Sequence, residues 1–266
     1  MTGGTHVSPR HPRAESIRIR EQLTGHVETG VVALAGLIAH GRGEAFDYIL
    51  GERTTPSAMR AITAAAASLL LAERPVISVN GNAAALCARY LVELAEASGA
   101  RLEVNLFHRL PGRESAIDGL LREAGAEEVL GVGEAASARI DEVNSDRRRV
   151  DPRGMLVADV VFVPLEDGDR TEALRRMGKT VIAVDLNPLS RTAQLASITI
   201  VDNIVRAMPV MVSEARGLRD LSAEELRTIV SSFSNEDALS DAMRLMEERL
   251  HALSERGVYI ELHGRR

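Results

Sequence analysis

The stretch PVISVNGNAAALCARYLVELAEASGARLEVN, Pro75–Asn105, reads as strand, helix, strand. Pro75–Val79 is a short apolar run closed by Asn80-Gly81-Asn82, a helix follows to about Ser98, and Arg101–Asn105 is a second short strand. A helix between two such strands makes a parallel pair, and further strand–helix alternation extends it into a sheet covered on both faces. That alternation continues downstream. A helix is expected over Gly112–Ala124, and strands over Val157–Val163, Thr180–Val184 and Ile198–Val201. Asp167-Gly168-Asp169 opens a helix in which Asp169 and Glu172 have capping-box spacing. Another helix starts near Asn203.

Helices flank this α/β core. Thr55-Pro56 has the form of an N-cap followed by the first helical residue, and the alanine-rich run to Leu71 is strongly helix-forming. Arg13–Leu50 is a helical section in which Leu23 and Val27 share a face. Val31–Ala39 is apolar all round, which suggests a buried helix or a subunit contact. At the other end, Ser222 and Glu225 form a capping box. Leu226, Ile229, Val230 and Phe233 then keep helical spacing, and Leu239 to Leu253 continue it. Gly257 is a natural stop, with a candidate strand beyond it. The expected organisation is a flexible lead-in over residues 1–12 and one domain over 13–266, with N-terminal helices in 13–55 and C-terminal helices in 221–256. Gly131–Arg153 is polar and reads as a loop or mobile flap, with Arg147-Arg148-Arg149 solvated.

Composition removes several function classes. A net charge of −6 is wrong for a general nucleic-acid binder, and 3% aromatic residues with no tryptophan leave no base-stacking platform. The single cysteine, Cys87, excludes an internal disulfide and reads as a small core residue. No apolar run reaches the ~18 residues of a membrane helix, and Met1–Pro12 lacks an apolar signal core. The expected setting is the cytoplasm, with no membrane partner.

Ligands of an open parallel sheet sit at the carboxyl ends of its strands. Here those ends carry Asn80 and Asn82, Asn105, Glu166–Arg170, Asp185-Leu186-Asn187, and Asp202-Asn203. Turns favour the same residue types, so any one of these ends is equally explained as a turn; five together exceed that need. Asp185 suits the two hydroxyls of a ribose, and Ser190-Arg191-Thr192 offers a cation and hydroxyls to phosphate. Asp167 and Asp169 are candidate Mg²⁺ ligands, with helix capping the competing reading. His40-Gly41-Arg42-Gly43-Glu44 reads as a glycine turn that presents Arg42 to an anion, with His40 and Glu44 alongside; a helix-terminating turn explains the glycines alone. No GxxxxGK[ST] phosphate loop is present, and the faint dinucleotide pattern at Gly131-Val132-Gly133 lacks a helical sequel.

Five segments, Gly36–Thr54, Pro75–Asn82, Val163–Leu174, Ile182–Ala193 and Ile198–Ala207, together resemble the archaeal 4-phosphopantoate–β-alanine ligases, also called phosphopantothenate synthetases. The resemblance runs from about Arg10 to Met211; the C-terminal helices match in character only. It implies a cytoplasmic homodimer with a Rossmann-like α/β core that uses ATP and Mg²⁺ to join 4-phosphopantoate to β-alanine, with release of AMP and pyrophosphate. It also implies ATP contacts at Arg20, Arg42, Asp185-Leu186-Asn187, Arg191-Thr192 and Asn203-Ile204. Arg20 enters through the resemblance alone. The chemistry adds candidate roles. His40 or Glu44 would serve as base, Arg42 would act at the developing phosphate charge, and Asn80, Asn82 and Arg170 would meet the substrate, with Arg170 on its phosphate. Two rival classes on the same fold are a nicotinamide-dependent oxidoreductase and a non-enzymatic nucleotide sensor.

Overall fold

A computed structural model describes residues 8, 10–11, 13–165 and 168–256. Expectations for most of residues 1–12, for Glu166 and Asp167, and for Gly257 and the strand beyond it lie outside those residues. The strands are β1 (Pro75–Val79), β2 (Arg101–Val104), β3 (Val129–Leu130), β4 (Ala138–Arg139), β5 (Arg149–Val150), β6 (Val160–Pro164), β7 (Thr180–Val184) and β8 (Ile198–Ile200). The first five helices are α1 (Ala14–Gly25), α2 (Leu34–Leu50), α3 (Pro56–Leu71), α4 (Gly81–Ser98) and α5 (Arg113–Glu123). The rest are α6 (Gly168–Arg176), α7 (Arg191–Leu195), α8 (Ile204–Gly217), α9 (Ala223–Ser231) and α10 (Asn235–Arg256). None is long and apolar enough to cross a membrane.

Six strands form one parallel sheet in the order β3-β2-β1-β6-β7-β8, and β4 and β5 make a separate antiparallel pair. Chain direction across the sheet reverses between β1 and β6, which is the topological switch point of a Rossmann-like fold and the place where its carboxyl-end crevice opens.

Strand alternation sorts the core into two layers, because successive side chains point to opposite faces. On one face Ile77, Val79, Leu102, Val104, Phe162, Ile182 and Val184 pack under α3, α4, α5 and α8. On the other, Val76, Val161, Val163, Val181 and Ala183 meet Ala173 and Leu174 of α6 together with Ile140, Val143, Val150 and Met155. A third cluster joins Leu50 of α2, Leu186 and Ala193 to Leu239, Ala242 and Met246 of α10. Thr55 accepts a bond from the Ala58 N–H at 3.1 Å with Pro56 at the first helical position, a cap worth about 1 kcal/mol. The capping box at Ser222 and Glu225 is present as read, and Cys87 is buried at an irregular turn inside α4.

Several expectations are corrected. Gly131–Arg153 is largely irregular, as a loop is, but it is not solvated throughout. Its Ile140, Val143 and Val150 are needed to cover the second face of the sheet, where α6 alone does not suffice, and Arg147 is buried with them. The sequence signal was weak because three apolar residues carry this packing among many charges. His40–Glu44 is not a glycine turn; it lies inside α2, which runs unbroken to Gly51. Glycine within a helix costs up to ~1 kcal/mol, so α2 depends on tertiary packing there. Asp169 lies inside α6, and the Glu172 carboxylate bonds Arg176 and Arg191 instead of returning to a cap. β6 starts at Val160, three residues later than expected, because the Asp159 carboxylate accepts from the N–H groups of Glu73 and Arg74 at 2.7 and 2.9 Å. Finally, of the two readings of Val31–Ala39, burial fails for Leu34 and Ile38, which are 69% and 70% exposed.

Candidate active site

A cavity of about 1130 Å³ opens at the carboxyl ends of the strands, under α2. It is bordered by His40, Arg42 and Phe46 of α2, by Asn80-Gly81-Asn82 after β1, and by Leu165, Gly168 and Asp169 after β6. Asp185-Leu186-Asn187, Ser190-Arg191-Thr192 and Asn203-Ile204 complete one end. Phe107, His108, Arg113 and Arg147 complete the other.

Close approach of backbone builds the roof. The Asn82 amide donates to the Gly36 carbonyl at 2.8 Å, and a Cβ at Gly36 would collide with that same amide. Gly81 lies so near the Val31 carbonyl that no side chain fits there. Asn80 caps α4 by accepting from Ala83 N–H, and its amide donates to the Pro164 and Leu165 carbonyls at 2.9 and 3.0 Å. It therefore ties the ends of β1 and β6 together across the switch point.

At the β7–β8 end, one Asp185 oxygen accepts from the Asn187 N–H at 2.9 Å and the other from the Ser190 hydroxyl at 2.5 Å. Burial raises the Asp185 pKa above the ordinary carboxylate value, while the Ser190 and Asn187 bonds and the charge of Arg42 pull the other way. Ser190 also caps α7 by accepting from Ala193 N–H. Arg42 is exposed to the cavity and makes no hydrogen bond to another described residue. Arg191 reaches Glu172 at 2.5 Å in an exposed pair, so the guanidinium is held only weakly. Asn203 caps α8 through Val205 N–H and donates to Asp47 at 2.9 Å, which leaves the helix N-terminus facing the cavity.

Burial pushes the His40 pKa down, more than Glu44 raises it, so its imidazole is neutral near pH 7 and can accept a proton. Glu44, one turn along from His40, does not line the cavity. Burial raises its pKa, but the bonds from Arg20 and Ser16 outweigh this and hold it below the usual range. Arg20 is spent on Glu44 at 2.7 Å and does not line the cavity. Asp202 is likewise directed elsewhere: it accepts from Thr54 at 2.6 Å and from Arg206, which also grips Asp47. Thr54 comes from the link between α2 and α3, and Arg206 lies four residues on from Asp202, inside α8.

Arg170 is corrected as a substrate contact. Its guanidinium is wholly buried beneath the cavity, donating to Asn105 Oδ1 at 2.6 Å and to Ser78 Oγ at 2.9 Å. Two cationic residues that sequence reading missed do line the cavity, Arg113 and Arg147. One signal was available: Arg113 opens α5, where the helix dipole disfavours a cation. Among the described residues no three His, Cys, Asp or Glu side chains gather as a metal site. Asp169 is nevertheless a single carboxylate on the cavity wall, which suits an ion whose other ligands are phosphate oxygens and water.

Residues 57–249 match the model of a family described as phosphopantothenate/pantothenate synthetase. The chain is 54% identical over 250 residues to the 4-phosphopantoate–β-alanine ligase of Thermococcus kodakarensis, covering 94% of this chain and 95% of that one. It is 50% identical over 250 residues to the enzyme of the same name from Methanosarcina mazei, covering 94% and 98%. With that from Methanospirillum hungatei it shares 49% identity over 240 residues, covering 90% and 96%.

Proposed function

The chain belongs to the phosphopantothenate/pantothenate synthetase family, and from that premise we propose how it works. It is a ligase that joins 4-phosphopantoate to β-alanine in coenzyme A biosynthesis. ATP is consumed as a substrate, with AMP and pyrophosphate as products. The observation that carries this reading is the convergence of Arg42, Asp185, Arg191, Asn203 and Ile204 on one cavity at the switch point.

A carboxylate is a poor electrophile, so it must first be given a leaving group. A carboxylate oxygen of 4-phosphopantoate attacks the α-phosphorus of ATP, and the bond to the bridging oxygen breaks, releasing pyrophosphate. The amine of β-alanine then attacks the acyl carbon, the acyl–oxygen bond breaks, and AMP leaves. Arg42 and Arg191 oppose the charge that develops on phosphate oxygens, and the N-terminus of α8 adds N–H donors. Asp185 holds the ribose hydroxyls, and Leu186, Asn187 and Thr192 frame the nucleotide with Phe46. His40, neutral and on the cavity wall, takes the proton that the attacking amine loses. Asp169 is the described carboxylate that would hold Mg²⁺, which would offset phosphate charge when bound.

The test is direct. Wild-type protein with ATP, Mg²⁺, 4-phosphopantoate and β-alanine is expected to yield AMP and 4-phosphopantothenate in equal amounts. ADP in place of AMP would overturn the adenylate route. Arg42→Ala is expected to lower kcat/KM by a factor on the order of 100–1000, the usual loss when one donor to developing charge is removed.

A further inference from the structure

One end of the cavity roof is fixed by a buried cluster centred on Asp47 and Arg206, neither of which is among the described residues that border the cavity. The Asp47 carboxylate of α2 is gripped at both oxygens by the Arg206 guanidinium of α8, at 2.6 and 3.0 Å. One of those oxygens also accepts from the Asn203 amide at 2.9 Å. Arg206 turns its other edge to Asp202, at 2.7 and 3.0 Å, and Asp202 accepts from the Asn203 N–H at 2.7 Å. Asn203 is thereby held at its amide and at its N–H while its side-chain oxygen caps α8. Asp47, Asp202 and Asn203 are all buried. Burial works against the Arg206 charge, and the two carboxylates outweigh it, so the Arg206 pKa is raised.

Helical residues seven apart share a face and lie roughly 10 Å apart along the axis, which puts Asp47 in line with His40. Gly43 lies between them, against Leu186. Burial lowers the His40 pKa, the charges of Glu44 and Asp47 oppose this, and Arg20 adds to it, so the Asp47 charge is felt at the cavity wall. Arg42 makes no hydrogen bond to another described residue, so its reach is set by where α2 lies. Gly36, Gly41 and Gly43 weaken α2 as a helix, and its course over the cavity therefore depends on what pins it. The Asn82 amide holds the Gly36 carbonyl near its start, and Arg206 and Asn203 hold Asp47 near its end.

We propose that Asp47 is a positioning residue for the reaction: clamped by the fork of Arg206 and by the Asn203 amide, it fixes the α2 segment that carries Arg42 and His40 relative to the N-terminus of α8. This rests on the ligase reading above. In this arrangement Asp47 touches no substrate. It acts through Arg42, whose guanidinium is brought to the same phosphate charge that the α8 N–H groups face. Arg206 is the second half of the same clamp, and Asp202 orients it.

The experiment is a double-mutant cycle on the full chain, with wild type, Asp47→Asn, Arg42→Ala and the double variant. Kinetics follow AMP release, and calorimetry follows an ATP analogue that cannot be cleaved at the α-phosphorus. Asp47→Asn is expected to lower kcat/KM for ATP by a factor on the order of 10–100, the scale of a displaced catalytic group. The KM for β-alanine is expected to stay within about threefold. Once Arg42 is gone, adding Asp47→Asn should cost less than about threefold more, because both changes remove the same placed charge. Arg206→Lys keeps the charge but not the fork that spans two carboxylates, so it is expected to act in the same direction, and it keeps the test open if Asp47→Asn fails to fold. Losses that multiply in the double variant, or an equal rise in the KM of every substrate, would overturn the positioning role. A wild type that makes no ligated product, but whose affinity for the ATP analogue falls with Asp47→Asn only while Arg42 is present, would overturn the ligase reading and leave the clamp standing.

Discussion

The two ends of the cavity are built on different principles. The β7–β8 end takes its groups from residues that directly follow strands: Asp185 to Thr192 after β7, and Asn203-Ile204 after β8. Much of its geometry is set by neighbours a few residues away, as Asp185 is by Asn187 and Ser190, while Asn203 also reaches Asp47 of α2. The β1–β2 end takes its charges from a helix start and from a segment that wraps the far face of the sheet. Those charges are held at long range by Gly30 and Val31 on one side and by Asn105 on the other. Short-range geometry yields a site that tolerates change in the rest of the molecule. Long-range geometry makes the site depend on how distant segments pack.

The largest expected effect tests a long-range support of the β7–β8 end. Arg206 donates to Asp47 from α2 and to Asp202 beside α8, and both carboxylates are buried. Arg206→Leu would leave two buried carboxylates facing each other, so a loss of roughly 3–5 kcal/mol in urea unfolding is expected. A loss below 1 kcal/mol would mean that this end does not depend on Arg206 for its stability.

The other end has a pH signature. Glu103 on β2 is wholly buried and accepts from the N–H groups of Asp151 and Met155, which pins the wrapping segment. Burial pushes its carboxyl up to about 7. The folded protein then binds this proton in a pH range where the unfolded chain has released it. Its contribution is therefore present below the unfolded value and is lost as pH rises through about 7. The expected loss is on the order of 3 kcal/mol between pH 4.5 and 7.5. Glu103→Gln should flatten that slope in unfolding curves taken across the range. Parallel curves for the two proteins would remove Glu103 as the source.

The smallest effect is local. Ser190 caps α7 and bonds Asp185, so Ser190→Ala should cost about 1 kcal/mol of stability. It also removes a bond that lowers the Asp185 pKa, so the acid limb of the pH–rate profile should move to higher pH. An unmoved limb would detach Asp185 from the reaction.

The same contrast explains what was legible in advance. The strands β1, β2, β7 and β8, the cap at Thr55, the capping box at Ser222 and the strand-end residues Asp185, Asn187, Arg191 and Asn203 are written in short windows, and the structure has them where the windows put them. Asp202 was singled out for the same kind of reason and Arg20 through the resemblance alone, but Arg206 and Glu44 hold them outside the cavity. His40–Glu44 carried turn residues and still formed helix, because α2 packs on Asn82 and Leu186. Arg147 sat in a basic run that normally points to solvent, and only its position over the sheet buries it.

From the sequence alone follow the alternation of strands and helices, the caps that begin the helices, and the row of polar residues along one rim of the sheet. Hydrophobic period and capping act over a few residues, so they survive in a linear reading. Which cations enter the cavity, and which are consumed in ion pairs beside it, was decided only by tertiary structure. A charge takes its partner from whatever lies within a few ångströms. For Arg113, Arg170 and Arg206 that neighbour is between 65 and 159 residues away along the chain in the bonds that matter most.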